Sequence, residues 1–160
     1  LAGLRVAVND LDSQSGHNCL RAKLAAAGLP SPFFGELHLS GGHRASIAAV
    51  AEGRCQAAAI DAVTLALVSR EAPAEVERIR ILDWSAPAPG LPLVTGIDMP
   101  DETIAALRQA LSTVLQDPEN AAVLEELLIT GITETGPADY QPILDMERQA
   151  GDFQLAARIL

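Results

Sequence analysis

Residues 36–61 read E-L-H-L-S-G-G-H-R-A-S-I-A-A-V-A-E-G-R-C-Q-A-A-A-I-D. The pattern changes three times within them. Leu37 and Leu39 alternate with polar neighbours, as the residues of a half-buried strand do. Ser40-Gly41-Gly42 breaks the alternation and frees the backbone for a tight turn. Ile47, Val50 and Ala51 then recur at helical spacing, and Glu52-Gly53 supplies a helix stop. Ala57-Ala58-Ala59-Ile60 is short and apolar enough for a buried parallel strand, with Asp61 at its carboxyl end. A strand–turn–helix–strand unit of this kind aims helix amides, His43, Ser46 and Asp61 at one crevice. In open α/β sheets that crevice, outside the carboxyl ends of the strands, is where ligands bind.

A chain of 160 residues is long enough for one domain with a real core, or for two small lobes. Hydrophobic residues make up 49% of it and the mean hydropathy is +0.20, which suits a globular protein rather than a disordered one. Eleven Lys and Arg face 21 Asp and Glu, giving a net charge of −10. That balance argues against nucleic acid and anionic membrane surfaces as partners. An anion bound here must be held mostly by backbone amides, hydroxyls and histidine, not by a cationic patch. No apolar run approaches the roughly 20 residues of a membrane span. The chain opens on strand-like Leu4-Arg5-Val6-Ala7-Val8 without a basic and then apolar leader, so it reads as a mature product or a fragment. Cys19 and Cys55 read as two buried free thiols rather than a disulfide framework.

Outward from the central unit, Leu4 to Val8 forms a first strand that gives way at Asn9-Asp10-Leu11-Asp12. Ser13-Gln14-Ser15-Gly16 starts a helix whose buried stripe is Leu20, Leu24 and Ala27, ending at Gly28. Leu29-Pro30-Ser31-Pro32 cannot be helical. After Asp61, residues 62–71 predict a helix carrying Val63, Ala66 and Leu67. Arg78-Ile79-Arg80-Ile81-Leu82 predicts a further strand. Ser85-Ala86-Pro87-Ala88-Pro89-Gly90-Leu91-Pro92 is a stiff connector, and Leu93-Val94-Thr95 a short strand beyond it. From Asp101 the pattern is helical: Ile104, Leu107, Leu111, Val114 and Leu115 share a face. Asp117-Pro118 restarts a helix with a cap and a first-position proline. Val123, Leu124, Leu127 and Leu128 follow, ending near Gly131. A last helix is expected around residues 140–150, followed by a weakly specified tail. The expected organisation is an α/β lobe over 1–92 with a parallel-rich sheet. Residues 93–160 then form a hinge return and the C-terminal helices of an incomplete second lobe.

Three groups could carry chemistry, and each has a plain structural alternative. Ser13 and its neighbours sit where a strand meets a helix, so they either donate to an anion beside the helix dipole or merely cap the helix. His43 beside Gly41-Gly42 either donates to an anion or caps from the surface. Asp61 either faces the ligand or caps the next helix. Together they lie on one sheet edge, which favours an anion site. Ser13 or Ser15 with His43 and Asp61 also supplies the residue types of a hydrolytic triad. However, no G-x-S-x-G elbow surrounds either serine. His17 and Cys19 are two apart on a helix and cannot share a metal. No phosphate loop or dinucleotide glycine pattern occurs, and no cofactor is expected.

V-N-D-L-D-S-Q-S-G-H-N-x-L-R from Val8, S-G-G-H-R-A-S-I-A-A-V-A-E-G-R from Ser40, A-A-A-I-D-A-V-T from Ala57 and A-P-G-L-P-L-V-T from Ala88 occur in this order. Jointly they resemble the phosphonate/phosphate/phosphite-type substrate-binding proteins of ABC transporters. The resemblance implies a two-lobed type II periplasmic binding protein that closes on a small oxyanion and meets an ABC permease in the periplasm. It implies that Ser13, Gln14 and Ser15 hold the phosphonate, phosphate or phosphite with His43 across the cleft. Ser46 assists, and Asp61 stands by an amine or a protonated oxygen of the ligand. It also implies a segment ahead of Leu1 that supplies the rest of the cleft. Left without it, the apolar face of the C-terminal helices packs on the α/β lobe, pairs with a second copy of the chain, or stays partly exposed. The competing functions are an anion-sensing regulatory module and a Ser/His/Asp hydrolase.

Overall fold

The computed structural model describes residues 1–160. It divides into two compact units, Leu1–Ala88 with Tyr140–Leu160, and Pro89–Asp139.

The first unit is an α/β sandwich around four parallel strands in the order β3-β1-β2-β4. Strand β1, Arg5–Val8, lies inside the sheet, and its Val6, Ala7 and Val8 are wholly buried. Burial on both faces is the mark of a central parallel strand. A π-helical turn, Gln14–Asn18, leads into helix α1, Cys19–Ala26. Gly28 (φ +64°) takes the left-handed position beyond it, and the Leu29 N–H closes on the Leu24 carbonyl. Strand β2, Phe34–Leu39, pairs with β1 in the register Val6 to Leu37 and Val8 to Leu39. Helix α2, His43–Ala51, ends at Glu52-Gly53 as its sequence predicts. Strand β3 is only Ala57–Ala58, on the other side of β1. Helices α3, Ala62–Glu71, and α4, Pro73–Val76, come after it.

The two faces of the sheet have separate cores, set by the alternation along β1. Val6 and Val8 join Phe34, Leu37 and Leu155, with Leu20 and Leu24 of α1 packed against them. Ala7 turns the other way and meets Ala49 of α2 and Cys55. Both cysteines are free thiols, Cys55 buried and Cys19 less so. Ile47 of α2 is among the largest fully buried side chains.

In the second unit, helix α5, Asp101–Gln116, is followed by a 3₁₀ turn, Pro118–Asn120, and helix α6, Ala121–Glu126. Asp117 accepts from the Glu119 N–H at 2.9 Å, so the cap and the proline stand where the sequence puts them. No residue from Pro89 to Asp139 is fully buried, and Leu107 of α5 is 50% exposed.

Three expectations differ from the structure. Arg78-Ile79-Arg80-Ile81-Leu82 is not a strand: the segment has no ladder partner, and Ile81 and Leu82 are exposed. Leu93-Val94-Thr95 also lacks a partner strand. The fourth strand comes instead from the tail. Helix α7, Gln141–Ala150, packs against α1, and strand β4, Ala156–Ile159, pairs with β2. Residues 140–160 therefore lie with the α/β unit and not with residues 93–139. The reason is hydrophobic: Leu155 is 2% exposed and completes the core beside Phe34.

Candidate functional site

The carboxyl ends of β1 and β2 open onto a hollow of about 460 Å³ lined by Asn9, Asp10, Leu11, Asp12, Leu39 and Gly41. A second hollow of the same volume lies at the amino ends of the strands, around Arg5, Glu36 and Arg54. Its cation Arg5 is already bonded to Glu36, Nε to Oε2 at 2.8 Å. Two of the sequence motifs reach the first hollow, through Asn9 to Asp12 and through Gly41, while Ser13, Gln14, Ser15, His43, Ser46 and Asp61 lie outside its lining.

Beyond β1 the Ser13 backbone is extended, and its Oγ accepts from the Gly16 N–H at 3.0 Å. Ser13 thus caps the helical segment. Its carbonyl also accepts from both His17 and Asn18 N–H groups, which widens the first turn into a π-turn. Beyond β2, Gly41 (φ +81°) makes the turn a side chain would strain. The Gly41 N–H donates to the Asn9 carbonyl at 3.1 Å, tying the two strand ends together. No side chain caps α2, so the amides of its first turn keep their partial positive charge for another acceptor.

These two helix starts meet through one bond. Ser15 Oγ lies 2.8 Å from Nε2 of His43, the first residue of α2. His43 Nδ1 is buried without a hydrogen-bond partner. Burial lowers the His43 pKa, while the Asp61 carboxylate and the Ala59 backbone carbonyl pull it upward. The net shift is downward from 6.5, so the ring is neutral at pH 7.

Asp61 comes after β3, and its Oδ1 accepts from the Thr64 N–H at 2.7 Å and from Thr64 Oγ1 at 3.1 Å. It caps α3, the plain alternative its sequence allowed. Ser46 is fully buried on α2, its Oγ 2.6 Å from Ser40 Oγ. Ser40 in turn donates to the Val8 and Gly42 carbonyls, so this hydroxyl pair fixes the start of α2 to the end of β1. Gln14 turns the other way. Its Oε1 accepts from Asn18 Nδ2 at 2.6 Å and its Nε2 donates to Met146 Sδ of α7 at 3.2 Å.

The fold therefore joins Ser15 to His43 and sets Ser13 beside them, with the Asp61 charge felt by the imidazole. It puts Ser46 beneath the site and points Gln14 toward α7. The sequence reading missed Asn9 and Gly16. A Cβ on Gly16 would lie 1.7 Å from Asn9 Oδ1 and 3.2 Å from His43 Cε1. The glycine is what lets both side chains close on the first helical turn. Its place directly after the S-Q-S run is the signal that could have revealed it.

No three His, Cys, Asp or Glu side chains are placed to hold a metal ion. No helix is long and apolar enough to cross a membrane. No curated protein matches the chain. A family model described as "ABC transporter, phosphonate, periplasmic substrate-binding protein" matches residues 1–140. With most of its length matched, and with a parallel sheet whose strand ends gather the hydroxyl and histidine groups, the chain belongs to the phosphonate-type periplasmic substrate-binding proteins of ABC transporters.

Proposed function

We propose that this chain binds a small tetrahedral oxyanion, a phosphonate before phosphate or phosphite, for delivery to an ABC permease. The observation that carries the reading is the Ser15–His43 bond joining two helix starts at one sheet edge. The pair shares one hydrogen bond, and the tautomer assigned to it is the one with Nε2 protonated, the form that serves an anion. Nε2–H then donates to Ser15 Oγ, and the Ser15 hydroxyl proton is left to donate to a ligand oxygen. His43 so acts on the anion through Ser15. The uncapped amides of α2 add their dipole, and Ser46 holds that helix in place. Gln14 joins only by leaving Met146. Asp61, being a carboxylate, can only accept, so it favours a ligand with an amine or a P–OH group.

Isothermal calorimetry with phosphate, phosphite, methylphosphonate and 2-aminoethylphosphonate tests the reading. Ser15→Ala is expected to weaken every oxyanion by about ten- to a hundred-fold, the loss of one hydrogen bond to a charged group. Asp61→Asn is expected to weaken the aminophosphonate selectively. No heat with any of the four overturns the reading. The Ser15–His43 contact also invites a hydrolase, but Asp61, the acid that would orient the histidine, is engaged with Thr64. Turnover of a chromogenic ester, lost in Ser15→Ala, would establish that function in place of binding. An anion-sensing role separates from transport by whether the loaded protein stimulates an ABC permease in vesicles.

A further inference from the structure

We infer that Asn9 is a further ligand-contacting residue of this site, its carboxamide Nδ2 donating to an oxygen of the bound anion. The inference rests on the oxyanion reading. Asn9 is the first residue beyond β1, lines the hollow at the strand ends, and is only partly buried. Its Oδ1 is sealed from solvent and has no hydrogen-bond partner. That oxygen presses on the one residue of the first helical turn that has no side chain, so close that a Cβ on Gly16 would overlap it at 1.7 Å. The backbone of Asn9 is fixed as well, since its carbonyl accepts from Gly41.

The orientation of the amide is set by this packing. Turned over, the carboxamide would press its NH2 group against the Gly16 Cα. An oxygen in that place keeps a weak Cα–H contact. With the oxygen inside, the NH2 end is the one Asn9 offers to the hollow. Asp10 and Asp12 line the same hollow and can only accept from a ligand or repel it, and Asp10 Oδ1 already takes the Asp12 N–H at 2.8 Å. Leu11, Leu39 and Gly41 bring no polar side chain. Asn9 is therefore the side-chain donor of that lining, placed beside the Ser15–His43 pair through their shared contact with Gly16.

Calorimetry of the 160-residue chain with methylphosphonate and with inorganic phosphate tests this. Asn9→Ala is expected to weaken both by about ten- to a hundred-fold. Asn9→Asp is expected to weaken them further, because a carboxylate of nearly the same shape cannot donate and repels the anion. Thermal melting without ligand should show both variants folded. Should either fail to fold, the side-chain 1H–15N pair of Asn9 in the wild-type protein gives the answer directly: it should shift on saturation with methylphosphonate. An unmoved Asn9 pair, or undiminished binding in folded Asn9→Ala and Asn9→Asp, overturns the role of Asn9 while leaving the oxyanion reading intact. Absence of binding to the wild type overturns both.

Discussion

Helix α2 in the first unit and helix α5 in the second both carry a regular apolar stripe, yet only one of them owns a core. Ile47 of α2 is 1% exposed, while Leu107 of α5 is 50% exposed. The sequence signal for helix is just as clear in α5, a helix of sixteen residues in which Ile104, Leu107, Leu111, Val114 and Leu115 recur at helical spacing. The difference lies in what the stripe meets. Helix α2 lies against a sheet whose central strand is buried on both sides, and its small residues let it approach closely. Helix α5 has only short α6 and irregular chain in its own unit. Amphipathic periodicity specifies a helix; burial needs a second layer.

The sharpest way to break this contrast is a matched pair of truncations. Ile47→Ala should cost about 2–5 kcal/mol in denaturant unfolding, the range for emptying a packed core position. Leu107→Ala should cost about 0.5 kcal/mol or less, as an exposed position does. Equal losses would mean that the α5 face is covered in solution, and light scattering would then show whether a second copy covers it.

Glycines give a second, smaller contrast. A Cβ on Gly35 would sit 2.4 Å from the Gly3 carbonyl oxygen, a backbone atom that cannot swing aside. Gly35→Ala should therefore lower stability by about 1–3 kcal/mol. Gly131 has open space around it, and its φ is not in the left-handed region. Gly131→Ala should be neutral or stabilising by about 0.4–1 kcal/mol. A destabilised Gly131→Ala would show that the second unit packs more tightly there than its exposure implies.

The caps come next. Asp61→Ala removes a 2.7 Å bond to the Thr64 N–H at the start of α3 and should cost about 1 kcal/mol of global stability. Asp117→Ala removes the equivalent bond in a unit without a core. It should speed amide exchange locally around Glu119 while leaving the global transition where it was.

The smallest effect is pH. His17, His38 and His43 all lie in the first unit. Burial lowers the pKa of His17 and of His43 below 6.5. As pH falls through 6.5, the unfolded chain takes up protons that the folded rings still refuse, so stability declines; above that pH it is flat. His43→Gln should blunt the decline, read as the melting temperature between neutral and mildly acid buffer. A decline unchanged in that variant would mean the ring is solvated and the Ser15–His43 pair open.

Much of this architecture was legible because several signals agreed at each element. Gly28 and Gly53 stop helices where the apolar stripes stop, and Asp61 and Asp117 each cap the helical segment directly after them. The strands misled where the local pattern is silent about partners. Arg78-Ile79-Arg80-Ile81 alternates better than Ala156-Ala157-Arg158-Ile159, yet only the second pairs. Its place is decided by α7 docking on α1 and by Leu155 entering the core, neither of which is local. At the site, residue types were legible and their partners were not. The serine, histidine and aspartate stood out by chemistry, but that Ser13 would cap, Gln14 would turn to Met146, and Ser46 would be sealed under α2 depended on packing. Asn9 escaped notice because an amide at a strand end is ordinary until its oxygen is found closed off.

The pairing of β4 with β2 has a consequence for how the chain comes into being. On a ribosome, β1, β2 and β3 emerge long before Leu155 and Ala156, and the whole of Pro89–Asp139 must pass in between. Until then the outer edge of β2 offers its unpaired amides and carbonyls, and Phe34 faces an unfilled space, a state prone to pairing with other nascent chains. The intervening unit is in effect the loop whose closure finishes the sheet. Closing a longer loop is cheap, roughly 0.6 kcal/mol for each doubling. Evolution is thus free to lengthen or exchange residues 89–139, whereas the last strand has to arrive before the fold is safe.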